Sequence, residues 1–200
     1  VASGDRWVLG EGPLIRGDYL HTSSIGTTGS SLTYATAPQS GSIDGVSDFA
    51  VSFWFATTDP GDQMYPSQYG GSDDEFWLRV TGGFLYFWYF TGGVALLDYS
   101  TITLPANYTD GRPHQYLYKR VDGGTLDIWY DGTLLYTDTG GVGGTVDGSV
   151  NPLTWGADPT DVLDQFYGKT SHVATFQAPF LPSDSDIREL YLAGLTGVSF

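Results

Sequence analysis

Six stretches of the chain alternate in character from one position to the next, the period-two pattern of strands that bury one face. They are FAVSFWFAT (49–57), FWLRV (76–80), FLYFWYF (84–90), QYLYKRV (115–121), TLDIWY (125–130) and TLLYT (133–137). Around them stand Asp44-Gly45, Asp110-Gly111, Asp122-Gly123, Asp131-Gly132 and Asp147-Gly148. An Asp-Gly pair tolerates the positive φ angles of tight hairpins, so the spacing predicts a meander of antiparallel strands. The core is expected to hold Phe53, Phe55, Leu85, Phe87, Tyr116, Tyr118, Leu126, Ile128 and Tyr130.

In FLYFWYF the period places Leu85, Phe87 and Tyr89 on one face and Phe84, Tyr86, Trp88 and Phe90 on the other. Both faces cannot stand in water. The second is buried under another sheet, forms a subunit interface, or offers rings to a sugar.

One helix is predicted, in LPSDSDIRELYLAG (181–194), where Ser183 can cap the amide of Asp186 and Gly194 is expected to end it. Acidic residues in its first turn suit the helix dipole. The glycine-rich stretch 137–150 reads as a loop or a loose-tipped hairpin inside one domain, because strand-like sequence resumes at Leu153.

Composition narrows the function more than the fold. Two hundred residues suit a single domain, and 28 glycines and 14 tyrosines beside three glutamates and two lysines suit an all-β chain. A net charge of −15 opposes nucleic acid and anionic membranes, whereas clustered carboxylates can hold Ca²⁺. With no cysteine there is no disulfide or thiolate metal site. The chain carries no signal-like segment and no apolar run long enough to span a bilayer, and as given it is expected to be soluble. Its start at Val1 suggests a processed product or a piece of a longer protein.

Local signatures of catalysis are missing. Glu11, Glu75 and Glu189 are too far apart in sequence for the paired glutamates that glycosidases of laminarinase type carry on one strand. Gly168-Lys169-Thr170 has the end of a phosphate loop, but Leu163 stands where its first glycine belongs. Neither a Gly-x-Ser-x-Gly elbow nor a His-x-x-x-His pair occurs. Asn107-Tyr108-Thr109 fits the N-glycosylation pattern.

The order of segments resembles a known family. GDYLHTS (17–23), SDFAVSFWFAT (47–57), DEFWLRVTGGFLYFWY (74–89), DGRPHQYLY (110–118), LDIWYDGTLLY (126–136), LTWGADP (153–159) and FYGKTSHVATFQAPFLPSDSDIREL (166–190) are similar, in sequence order, to laminin-G-like or concanavalin-A-like jelly-roll domains. The resemblance runs from about residue 17 to 192. Pro113 stands where the family usually has Trp, and Thr170-Ser171-His172 where many relatives carry acidic residues. The resemblance implies an all-β, two-sheet antiparallel jelly-roll sandwich with one short C-terminal helix, a lead-in at 1–16 and the domain proper at 17–200. It also implies that His114 belongs to the sheet, sharing a face with Tyr116 and Tyr118 while Leu117 and Lys119 take the other.

Function is expected by analogy with that family: a non-catalytic carbohydrate or cell-surface binding module of a larger microbial surface or phage tail or fibre protein, extracellular or virion-associated. The alternatives are a structural or oligomerising module of such an assembly, for instance a trimer, and thirdly a glycoside hydrolase or lyase. Acidic loops at 59–62, 72–75 and 158–164 form the expected rim. There Tyr65, Tyr69 and Trp77 are the candidate ligand-binding rings, and Asp74 with Asp158 or Asp161 the candidate Ca²⁺ ligands.

Overall fold

The computed structural model describes residues 22–25, 35–36, 47–68, 76–91, 94–97, 102–142, 154–155 and 166–197. The expected lead-in at 1–16 lies outside them. The strands are β1 (Thr22–Ile25), β2 (Ala35–Thr36), β3 (Phe49–Ala56), β4 (Gln63–Gln68), β5 (Phe76–Thr81), β6 (Phe84–Thr91), β7 (Val94–Leu97), β8 (Ile102–Thr103), β9 (His114–Arg120), β10 (Gly124–Tyr130), β11 (Thr133–Val142), β12 (Thr154–Trp155) and β13 (Gly168–Gln177), followed by the helix α1 (Asp184–Gly197).

They form two antiparallel sheets. One runs β1-β13-β3-β9-β10-β11; the other runs β2-β12-β4-β5-β6-β7, with β8 paired to β6. The inner faces meet in one core of Phe49, Val51, Phe53, Phe55, Tyr65, Leu78, Val80, Leu85, Phe87, Tyr116, Tyr118, Leu126, Ile128 and Tyr130, among others. Every residue expected in the core is there. The expected all-β sandwich is the observed one.

At the β10–β11 hairpin, Asp131 (φ 49°) and Gly132 (φ 69°) both take left-handed conformations, the geometry of a two-residue turn that matches the strand twist. The glycine-rich stretch is less of a loop than expected at its start, since β11 carries it as far as Val142. Residues 143–150 lie outside the described set.

Strand β3 is buried at all eight positions, not at alternate ones. Its inner residues fill the core, while Ala50 and Trp54 on the outer face lie beneath α1, which caps that sheet through a second cluster of Ala50, Leu117, Trp129, Phe176 and Ile187. Two buried polar side chains on that face satisfy each other, Gln115 Nε2 donating to Ser52 Oγ at 2.9 Å.

The helix starts as expected. Ser183 Oγ accepts from the Asp186 amide at 3.3 Å, and the Asp186 carboxylate accepts from the Ser183 amide at 2.8 Å, a reciprocal cap. It does not end at Gly194. The glycine sits inside the helix because the Trp54 ring, stacked on Tyr191 at 5.6 Å, occupies the space a Cβ would need. A helix that must approach a tryptophan this closely uses glycine for contact, not for termination.

Candidate functional site

His114 opens β9 at one end of the sandwich, its ring packed on Tyr130 at 5.2 Å and tilted against Phe55. Asp131, from the β10–β11 turn, faces Nδ1 at 2.8 Å, and Asp110, from the segment before β9, faces Nε2 at 3.0 Å. Both carboxylates are held by the backbone as well. Asp131 Oδ1 accepts from the Gln115 amide at 2.9 Å, and Asp110 Oδ1 accepts from the Arg112 amide at 2.8 Å.

A neutral imidazole has one N–H and would turn a lone pair toward one of the carboxylates; an imidazolium donates to both. Burial pulls the His114 pKa down, but hydrogen bonds and charge from Asp131 and Asp110 outweigh it and hold the pKa above 6.5. With both nitrogens engaged and 4% of the residue exposed, His114 is a clasp between two loops.

The sign of the linkage follows. A base whose pKa is higher in the folded state contributes stability that is complete below the unfolded value near 6.5 and is lost as pH rises through the folded value. Asp110 works oppositely: the Arg112 amide first, then His114, lower its pKa, so its contribution is lost in acid. Denaturant unfolding at pH 6 and pH 8.5 is therefore expected to show a decline in the wild type that His114→Gln lacks. Equal declines in the two proteins would show that the clasp is not charged.

The acidic loop at 57–62 is turned on itself. Asp59 Oδ1 accepts from the Gly61 amide at 2.8 Å. Asp62 Oδ2 accepts from Thr81 Oγ1 at 2.6 Å and Oδ1 from the Gly82 amide at 3.0 Å, with Arg79 at 3.6 Å. The hydrogen bond from Thr81 leads in lowering the Asp62 pKa. Asp62 thus caps the β5–β6 hairpin, and its oxygens are committed to protein donors. Among the described residues no group of three or more His, Asp or Glu is placed to hold a metal ion.

The residues expected to bind ligand separate. Tyr65 is not on the rim: at 2% exposure it lies in the core, its ring against Phe53, Phe55, Tyr116 and Phe166. Strand β4 turns it inward beneath the acidic loop, so it cannot stack on a sugar. Trp77 belongs to β5, where its Cα pairs with those of Trp88 on β6 and Ser67 on β4; its side chain is outside the described set. Tyr69, Asp74, Asp158 and Asp161 also lie outside the described residues.

What the structure does display is the outer face of the β5–β6 ladder. Leu85 and Phe87 point into the core, and between and beside them Phe84 is 40% exposed and Tyr86 is half-buried. Their cross-strand partners are Thr81 and Arg79, and Phe84 pairs on its other side with Thr103 of β8. The opposite sheet has α1 over its outer face; among the described residues no helix lies over this strip. No helix among the described residues is long and apolar enough to cross a membrane.

No family model matches the chain, and no curated protein matches it. Solved structures do. The binding domain of botulinum neurotoxin serotype G superposes with a TM-score of 0.55 at 12% identity, over 80% of this chain and 40% of that one. The binding domain of Paraclostridial Mosquitocidal Protein 1 gives 0.54 at 9% identity, over 80% and 40%. A native heptameric SAP-like pentraxin from Limulus polyphemus gives 0.54 at 11% identity, over 74% and 71%. The chain spans about two fifths of the length of the first two of these chains. At such identities the likeness is one of fold, a two-sheet antiparallel jelly-roll sandwich.

Proposed function

We propose that this domain is a non-catalytic binding module of the laminin-G-like, concanavalin-A-like kind, which holds a neutral or weakly polar glycan or similar cell-surface ligand. It would work outside the cell, within a larger microbial surface protein or a phage tail or fibre. The observation that carries this reading is the half-open aromatic strip of β6, Phe84 and Tyr86, beside Arg79. Sugars offer C–H faces to rings and hydroxyls to charged and amide groups, whereas a polyanion would meet the field of a chain with net charge −15. Two structures of similar fold are described as binding domains. The engagement of both His114 nitrogens supports binding over acid–base chemistry.

The ligand surface we assign is this strip together with Trp77, its neighbour along the ladder, and Tyr69. Tyr65 is left out because it is in the core. A glycan array and a whole-cell pull-down test the assignment, using wild type, Tyr69→Ala, Trp77→Ala and Phe84→Ala. Wild type is expected to bind, and loss of an anchoring ring to cost more than about 1 kcal/mol, several-fold in affinity. Absence of binding to every glycan and cell would sink the reading.

We also propose Ca²⁺ at the rim, with Asp74 and either Asp158 or Asp161 as hard oxygen ligands. An ion bound only by the folded state raises its stability, so Tm is expected to be higher in millimolar Ca²⁺ than in excess chelator. Identical melting in the two buffers would remove the site.

A second reading, a subunit of an assembly, is favoured by Leu192 and Leu195, which are 60% and 51% exposed on α1. Sedimentation equilibrium that shows concentration-dependent association, together with a blank array, would favour it over ligand binding.

A further inference from the structure

Three polar atoms deep in the sandwich lack a hydrogen-bond partner among the described residues: the hydroxyls of Tyr65 and Tyr116, and Oε1 of Gln63. Their residues are 2%, 0% and 0% exposed, and they come from both sheets, Gln63 and Tyr65 from β4 and Tyr116 from β9. The two tyrosine rings meet edge to face across the core at 5.7 Å.

Gln63 and Tyr65 stand two positions apart on β4 and are both buried, so they share its inner face, and the Tyr65 ring in turn meets that of Tyr116. The Gln63 amide donates to the carbonyl of Asp59, and the Tyr108 hydroxyl donates to that same carbonyl at 3.4 Å, which brings Gln63 and Tyr108 side by side. Tyr108 in turn is close enough to Tyr65 and Tyr116 to add to the upward pKa shifts that burial gives both phenols. They stay protonated, and each has a hydrogen to donate.

Native interiors rarely leave such groups unpaired, because each orphan costs about 1–3 kcal/mol. Two donors and one acceptor that do not bond to one another call for a guest that accepts twice and donates at least once. Neutral phenols and an amide offer a metal cation no charge, and an anion would find no cation among them. Water fits this donor and acceptor count, and buried waters typically make about three such bonds.

We propose that Tyr65, Tyr116 and Gln63 bind one buried water molecule, which ties the two sheets together beneath the loop at 57–62. It accepts from both hydroxyls and donates to Gln63 Oε1. This goes beyond the proposed ligand surface and does not depend on it, since the water lies inside the core.

The sign of a conservative substitution tests it. If the hydroxyls were buried and unpaired, Tyr65→Phe or Tyr116→Phe would remove an unsatisfied group and hold or raise Tm. With the water bound, each change breaks a hydrogen bond, and Tm is expected to fall by about 2–4 °C, the shift that 1 kcal/mol produces in a domain of this size. The double variant is expected to fall by less than the sum, because both changes disturb the same guest. Oxygen-17 relaxation dispersion of the solvent is expected to report one long-lived water fewer in the double variant than in wild type. A Tm that holds or rises in either single variant would overturn the proposal, as would equal dispersion amplitudes in wild type and double variant.

Discussion

Phe55→Ala is expected to cost about 3–5 kcal/mol, the range for emptying a buried aromatic position. Phe55 is fully buried near the end of β3, and its ring meets those of Phe53, Tyr65, His114, Tyr116 and Tyr130, lying parallel to Tyr116 at 5.1 Å. These rings come from both sheets, so no single side chain can move to refill the space. Tyr116 and His114 are further restrained, the first on β9 opposite Phe53 and the second by its two carboxylates. Urea unfolding followed by fluorescence measures the loss. A cost under about 1.5 kcal/mol, the usual limit for a volume-conserving swap, would mean that the site collapses freely and would contradict this packing.

Gly168→Ala is expected to have the next largest effect on stability, about 1–3 kcal/mol or more. Gly168 begins β13 and pairs with Ile25 of β1, and a Cβ there would overlap the carbonyl oxygen of Ala56 and crowd the Phe166 ring at 3.0 Å. A flexible side chain could swing aside; a backbone carbonyl within the sheet cannot. The strand end must therefore shift, disturbing the Lys169–Ala56 and Thr170–Phe55 pairs that follow. Gly83→Ala on the β5–β6 turn is a contrasting control, since nothing lies within 4 Å of its Cβ position and only its φ of 83° opposes the change. Thermal melts of the two variants compare steric overlap with backbone strain. Gly168→Ala melting with the wild type would contradict the close approach of β13 to β3.

Strands were legible in the sequence wherever one face is apolar and the other is not. That is why β9 and β10 appear as expected and why His114 falls on the face of Tyr116 and Tyr118. Strand β3 was legible as a strand but not in its depth, because FAVSFWFA is apolar on both sides and alternation cannot reveal a helix lying over the second. Gly194 looked like a terminator by local rules, and only the position of Trp54, 140 residues away in sequence (194 − 54), explains it as a contact. Tyr65 misled for a related reason. QMYPSQ shows no clear apolar period, so its proximity to acidic residues suggested a rim, whereas the cross-sheet contacts with Phe53 and Tyr116 bury it. The clasp around His114 joins residues 17 apart, Asp131 and His114, through a strand pairing. The Asp-Gly pair at 131 announced the β10–β11 hairpin and the pair at 110 a turn ahead of β9, but neither showed that their carboxylates would face one ring.

The outer side of one sheet is covered by α1, while the described part of the other shows Phe84 to solvent with Tyr86 half-buried beside it. Titration calorimetry tests the assignment of that strip as the ligand surface most directly, with the glycan that scores highest on the array and three proteins: wild type, the double variant Phe84→Ala/Tyr86→Ala, and Leu134→Ala, an exposed apolar residue on the opposite sheet. The surface assigned here predicts that the double variant loses at least about tenfold in affinity, or 1.4 kcal/mol, while Leu134→Ala binds as wild type does. Undiminished binding by the double variant, or a loss confined to Leu134→Ala, would contradict it.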